Sequence, residues 1–122
     1  EVSIISKENI PKAKEHPILT KFNSLVNNRF KESREVKFYA DLIHISPNHL
    51  NKVVRTETGK SASGFINQIS ILEAKVLLGQ TALNIKEIAA ELGFEDVSYF
   101  SRFFKKHSGT TPLEYRKMID LS

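Results

Sequence analysis

No cysteine occurs among the 122 residues, so the chain has no disulfide framework, no thiolate zinc site and no cysteine nucleophile, and a reducing cytoplasm suits it. No apolar run approaches the length of a membrane span, and no secretory signal is visible. No segment alternates convincingly enough to predict a strand. The 4 histidines, His16, His44, His49 and His107, are scattered. His44 and His49 do not share a helix face, so neither a metal pair nor a catalytic base is implied. Ser61 and Ser63 lack the context of a nucleophile elbow, and Gly59-Lys60-Ser61 lacks the first glycine and the preceding strand of a phosphate loop. An enzyme, a metal and a cofactor are therefore not expected. The chain opens on Glu1 rather than Met, which makes a C-terminal piece of a longer protein the expectation.

What is present is helical periodicity. A 40% hydrophobic chain of this length suffices for one compact domain, or for two very small ones sharing a helix. Residues 1–17, with Pro11 and Pro17 and no sustained period, read as the end of an interdomain linker. Ile18, Phe22, Leu25, Val26 and Phe30 make one helical stripe, and Val36 to Ile43 a second. Ser46-Pro47 is an N-cap followed by proline at the first helical position, opening a third helix that Gly59 ends. The longest pattern runs from about Ser61 to Leu78, with Phe65, Ile69, Leu72 and Val76 on one side and Gly79 as the closing residue. Asn84 with Glu87 is a capping-box start, Gly93 stops that short helix, and Asp96 caps the next. The pattern trails off after Tyr115. The division is a first helix-turn-helix unit over 18–60, a connecting helix over 61–79, a second unit over 80–117 and a tail over 118–122.

The chain also repeats itself. Leu50 and Phe100, Lys52 and Arg102, Val53 and Phe103, Val54 and Phe104, Arg55 and Lys105, Gly59 and Gly109, and Phe65 and Tyr115 share one offset, and Ala40 and Ala89 fall one residue short of it. Two helix-turn-helix units in register make a tandem reader, and the second helix of such a unit is the one that enters a DNA major groove. The net charge of +4 favours a polyanionic partner mildly; where the cations sit matters more. Asn48, Asn51, Lys52 and Arg55 face outward on the first such helix, and Val97, Ser98, Ser101, Arg102 and Lys105 on the second, as candidates for base contacts. Asn pairs bidentately with adenine, Lys and Arg donate to guanine, and Val97 suits a thymine methyl; each good pair is worth about 1–3 kcal/mol of discrimination. Lys60, Lys106, Thr110 and Thr111, beside the glycines, suit phosphates. A solvated polar face is the simpler reading of any one of these residues, and the repetition of the set argues against it. Phe100, Phe103 and Phe104 share one face and read as core.

The run Ser46-Pro47-x-x-Leu50, Thr58-Gly59-Lys60-Ser61, Leu72-Glu73-Ala74-Lys75, Ile88-Ala89, Leu92-Gly93-Phe94, Ser98 to Lys106, Gly109, Thr111-Pro112 and Tyr115-Arg116 closely resembles the DNA-binding domain of AraC/XylS-family bacterial transcription regulators. The resemblance covers roughly residues 18–117. It implies an all-α fold of seven helices, with two helix-turn-helix subdomains joined by a long central helix. Double-stranded DNA is the implied partner, read in neighbouring major-groove segments near one helical turn apart, about 34 Å. Activation through RNA polymerase is implied too, together with an upstream sensing or dimerisation domain and a cytoplasmic, nucleoid-associated location with no membrane. Ser70 stands where the family usually carries Arg. The alternative from another class is a helical protein-interaction module whose basic face meets an acidic partner. An alkylation-repair sensor carrying this domain needs a reactive cysteine, which the sequence lacks.

Overall fold

The computed structural model describes residues 16–121, all of them helix, turn or loop, so residues 1–15 of the linker expected over 1–17 lie outside the described part. Seven helices follow in order: α1 (Pro17–Arg29), α2 (Val36–Ile43), α3 (Pro47–Thr58), α4 (Ala62–Gln80), α5 (Ile85–Glu91), α6 (Val97–Ser108) and α7 (Pro112–Leu121). Pro17, read as linker from the sequence, is the first residue of α1, where its missing N–H costs nothing, and the His16 side chain accepts from Ile18 N.

The starts are set by the residues that the sequence marks. Ser46 Oγ accepts from His49 N at 3.0 Å, Ser61 Oγ from Gly64 N at 2.9 Å and Asn84 Oδ1 from Glu87 N at 2.8 Å. Glu87 returns a bond to the Asn84 amide, completing the capping box. Gly64 is therefore in the first turn of α4, where its flexibility costs less than in an interior.

The faces of α4 are not those that the periodicity predicts. Leu72 and Val76 are 51% and 42% exposed, whereas Ala62, Ile66, Ser70, Ile71, Ala74 and Leu78 are buried. The reason is tertiary: α4 is packed on by helices of both units, so its buried surface wraps around it and small residues mark the sides where neighbours approach. Ser70, at the position where the resemblance would place Arg, is buried in this wall and its Oγ has no hydrogen-bond partner.

Gly79 does not close α4, which continues through Gln80. A Cβ at position 79 would lie 3.5 Å from Ile119 Cδ1, an ordinary van der Waals contact, so α7 packs against this end of α4 without requiring glycine there. That packing also explains why α7 persists to Leu121, beyond the point where the pattern fades. The carbonyls at the end of α4 are satisfied from α7 as well. Arg116 Nε donates to Leu78 O at 3.0 Å and Nη1 to Leu83 O at 2.6 Å, with longer bonds from Nη2 to Leu77 O and Thr81 O. A guanidinium fork thus replaces the missing C-terminal cap.

Phe22, Val26, Tyr39, Ala40, Leu50 and Val54 fill the first unit, Ile88, Leu92, Phe94, Phe100 and Phe104 the second, and both merge with the buried side of α4 into one core. Each of these side chains other than Ala40 contributes about 1.5–3 kcal/mol by leaving water.

Candidate nucleic-acid interface

The repeat in the sequence is a repeat in the backbone. Ile45 N donates to Ala40 O at 3.0 Å in the first turn, and Phe94 N to Ala89 O at 2.9 Å in the second. His44 and Gly93 take the left-handed conformation at φ 69° and 89°. Only the second turn needs glycine, because a Cβ at position 93 would run into the carbonyl oxygen of Lys31, whereas His44 meets a φ that histidine tolerates. The far ends match too. Gly59 and Gly109 are left-handed, and the hydroxyls of Thr58 and Ser108 each donate to a carbonyl one turn back, Val54 O and Phe104 O, at 2.7 Å.

With α3 and α6 so framed, packing aims their outer faces. Leu50, Val53 and Val54 of α3, and Phe100, Phe103 and Phe104 of α6, point into the protein. Asn48, Lys52 and Arg55 on α3, and Ser98, Arg102 and Lys105 on α6, are exposed on the other side; Val97 and Ser101 are half-buried. Lys60 and Lys106 are exposed at the helix ends, with Thr110 and Thr111 half-buried beside them.

Two candidates have structural partners. Asn51 Oδ1 accepts from Ala62 N at 2.8 Å and so braces α3 against the start of α4. In the second unit the matching residue is Pro112, which has no N–H, and Ser101 replaces the amide. Thr111 N donates to Glu114 Oε1 at 2.9 Å and Glu114 N to Thr111 Oγ1 at 3.1 Å, a second capping box. The Thr111 backbone bond, followed by the Thr111 hydroxyl, holds the Glu114 carboxyl below the usual carboxylate range. His107 is pulled below the ordinary imidazole value by burial and then by Lys106, with its ring 4.6 Å from that of Phe103.

Three side chains at this surface were not among the sequence candidates. His49 and Tyr99 are exposed at equivalent places near the starts of α3 and α6, a pairing already present in the repeat. Arg34, in the loop between α1 and α2, lies with its Cζ 3.7 Å from the Phe94 ring centroid and 5.7 Å from that of Phe103. It belongs to no periodic stripe, so nothing local in the sequence singles it out. A cleft of about 590 Å³ opens beside it, between the α1–α2 loop and α6, with Glu32, Glu35, Arg102 and Lys106 among the residues that line it. Among the described residues no group of His, Asp and Glu is placed to hold a metal ion, and no helix is long and apolar enough to cross a membrane.

Two helix-turn-helix units on one strut, each turning a cation-bearing helix outward, define a tandem DNA-binding domain of a transcription regulator. Comparison with known proteins places it further. A helix-turn-helix domain family model matches residues 39–118. The chain is 43% identical over 68 residues, 56% of its length, to the HTH-type transcriptional activator RhaR of Yersinia pestis, of which it covers 23%. It is similar to the C-terminal domain of AraT, a response regulator from Geobacillus stearothermophilus, with a TM-score of 0.80, 29% identity and coverage of 86% and 88% of the two chains. An AraC-type transcriptional regulator from Chromobacterium violaceum superimposes with a TM-score of 0.74 at 26% identity, covering 84% and 92%. The chain belongs to the AraC-type helix-turn-helix family. It spans 23% to 38% of the length of the first curated relatives that it matches.

Proposed function

We propose that α3 and α6 enter neighbouring major-groove segments of one duplex, as the base-reading halves of a regulator that activates transcription. The observation that carries this is the repetition of exposed cations, Lys52 with Arg102 and Arg55 with Lys105, on helices whose opposite faces are locked in the core. Arg102 and Lys52 are the guanine readers, and Arg55 and Lys105 follow one turn further along each helix. Asn48 is the better adenine reader of the first unit, since Asn51 already uses its Oδ1 on Ala62. Val97 meets a thymine methyl, with Ser98 and Ser101 as adaptable neighbours. Lys60, Lys106, Thr110 and Thr111 sit against phosphates and set register.

The intact regulator acts in the cytoplasm on the nucleoid, contacts RNA polymerase, and dimerises through a domain that would precede Glu1. Activation is what the name of the Yersinia relative supports.

Selection of bound sites from random duplexes, followed by anisotropy titration, tests the reading. We expect a motif in two blocks about one helical turn apart, and specific affinity that falls steeply with salt as counterions are displaced. Arg102→Ala is expected to cost about 1–3 kcal/mol and to relax specificity at one base pair of one block, and Lys52→Ala likewise in the other block. A single-block motif, or binding indifferent to salt, would remove the tandem reading.

A further inference from the structure

We infer that Arg34 is a positioning residue that fixes the distance and rotation between the two base-reading helices, and so makes the spacing of the DNA blocks part of what the protein recognises. The inference rests on the two-block reading above.

Away from α4, a small joint ties the two units together. It brings the α1–α2 loop of the first unit onto the α5–α6 turn of the second. The Cζ of Arg34 lies over the Phe94 ring, 3.7 Å from its centroid, within the range of a cation–π contact. Gly93 gives way to the Lys31 carbonyl, an approach that no side chain there would permit. Lys31 Nζ and Glu91 Oε1 are 3.5 Å apart at the rim, too exposed to hold much alone. Phe94 in turn packs on Phe100 and Phe103 of α6, with ring centroids 5.1 and 5.2 Å away. Arg34 therefore presses on the root of the second reading helix.

The mechanical consequence follows from counting attachments. Both units are anchored to α4 within one core, and packing on a single helix resists rotation about that helix's axis least. A second attachment off that axis removes the rotation. On DNA, one added base pair shifts the second block by about 3.4 Å and turns it by roughly 34°, since a helical turn is about 10.5 base pairs. Readers held at two points cannot follow both displacements, whereas readers held by α4 alone can follow part of them. The free domain is thus preorganised for one spacing, and the ordering cost is met on folding rather than on binding.

The test uses the selected two-block site and versions with one base pair added or removed between blocks. Wild type is expected to bind the altered spacings about 10-fold or more weakly, as for a mismatch in the site. Arg34→Ala is expected to bind the natural spacing several-fold more weakly and to show a spacing penalty below about 3-fold, because preorganisation is lost. Arg34→Lys, which keeps a cation on the ring, retains most of the penalty. Phe94→Leu, which keeps apolar bulk without the π face, flattens it as Arg34→Ala does. A wild-type penalty in a folded Arg34→Ala protein overturns the inference, as does a fall in all affinities together with the ratio unchanged, which marks mere destabilisation. Binding of wild type to a single block defeats the tandem reading itself, and wild-type indifference to spacing at a genuine two-block site defeats only the positioning role.

Discussion

Arg116→Ala removes the guanidinium that caps the end of α4 and the loop after it from α7, and the geometry sets the size of the effect. The two short bonds, to Leu78 O and Leu83 O, are charge-assisted, and the group is half-buried. Leu77 O keeps a second donor, the Thr81 hydroxyl at 2.6 Å, so little is lost there. Two charge-assisted bonds at about 1.5–3 kcal/mol each, discounted for water reaching the freed carbonyls, give a loss of about 3 kcal/mol. For a domain of this size that is a fall in Tm of roughly 10–15 °C. Thermal and urea unfolding followed by circular dichroism measure it. Amide exchange adds the location: protection drops first in α5 and α7, whose packing Arg116 joins to α4, while α1 to α3 hold. Arg116→Lys supplies a charge but not a planar fork, and is expected to recover less than half. A loss under about 1 kcal/mol for the alanine variant would refute the reasoning, because an exposed hydrogen bond explains that much. Full recovery with lysine would show that charge at the helix end, rather than the fork, is what matters.

Gly93→Ala combines a left-handed φ with a collision against backbone, and is expected to cost more than about 2 kcal/mol in urea unfolding; His44→Gly, at the matching turn with no collision to relieve, changes stability by less than about 1 kcal/mol. Burial first, and the Glu32 charge second, push the Tyr39 hydroxyl up to about 12. The folded value lies above the usual 10.0, so the stability that Tyr39 contributes is intact below pH 10 and is lost as pH climbs towards 12; pH-dependent melts of wild type against Tyr39→Phe should converge across that window. Equal slopes for the two proteins would remove Tyr39 from the account.

What the sequence by itself determined is local. Ser46, Ser61, Asn84 and Asp96 cap helices because a side-chain oxygen reaches an amide two or three residues on, whatever the rest of the chain does. The inward faces of α3 and α6 follow from spacings of three and four, and the repeat shows that the two must be used alike. Only the tertiary structure decided the remainder, since the residues involved lie 11 or more positions apart or touch no periodic stripe. Arg116 reaches the end of α4 across 33 to 39 positions, Lys31 meets Glu91 across 60, and Arg34 finds Phe94 from within a loop. The faces of α4 went the same way: an amphipathic period presumes one packed side, and a helix flanked by two units has several, so Ser70 and Ala74 are buried while Leu72 is in water. Asn51 looked free on its helix and is taken up by an amide that folding brings to it from α4. The physical divide is between contacts one helical turn long, which the chain writes into neighbouring residues, and contacts made only once separate helices have packed.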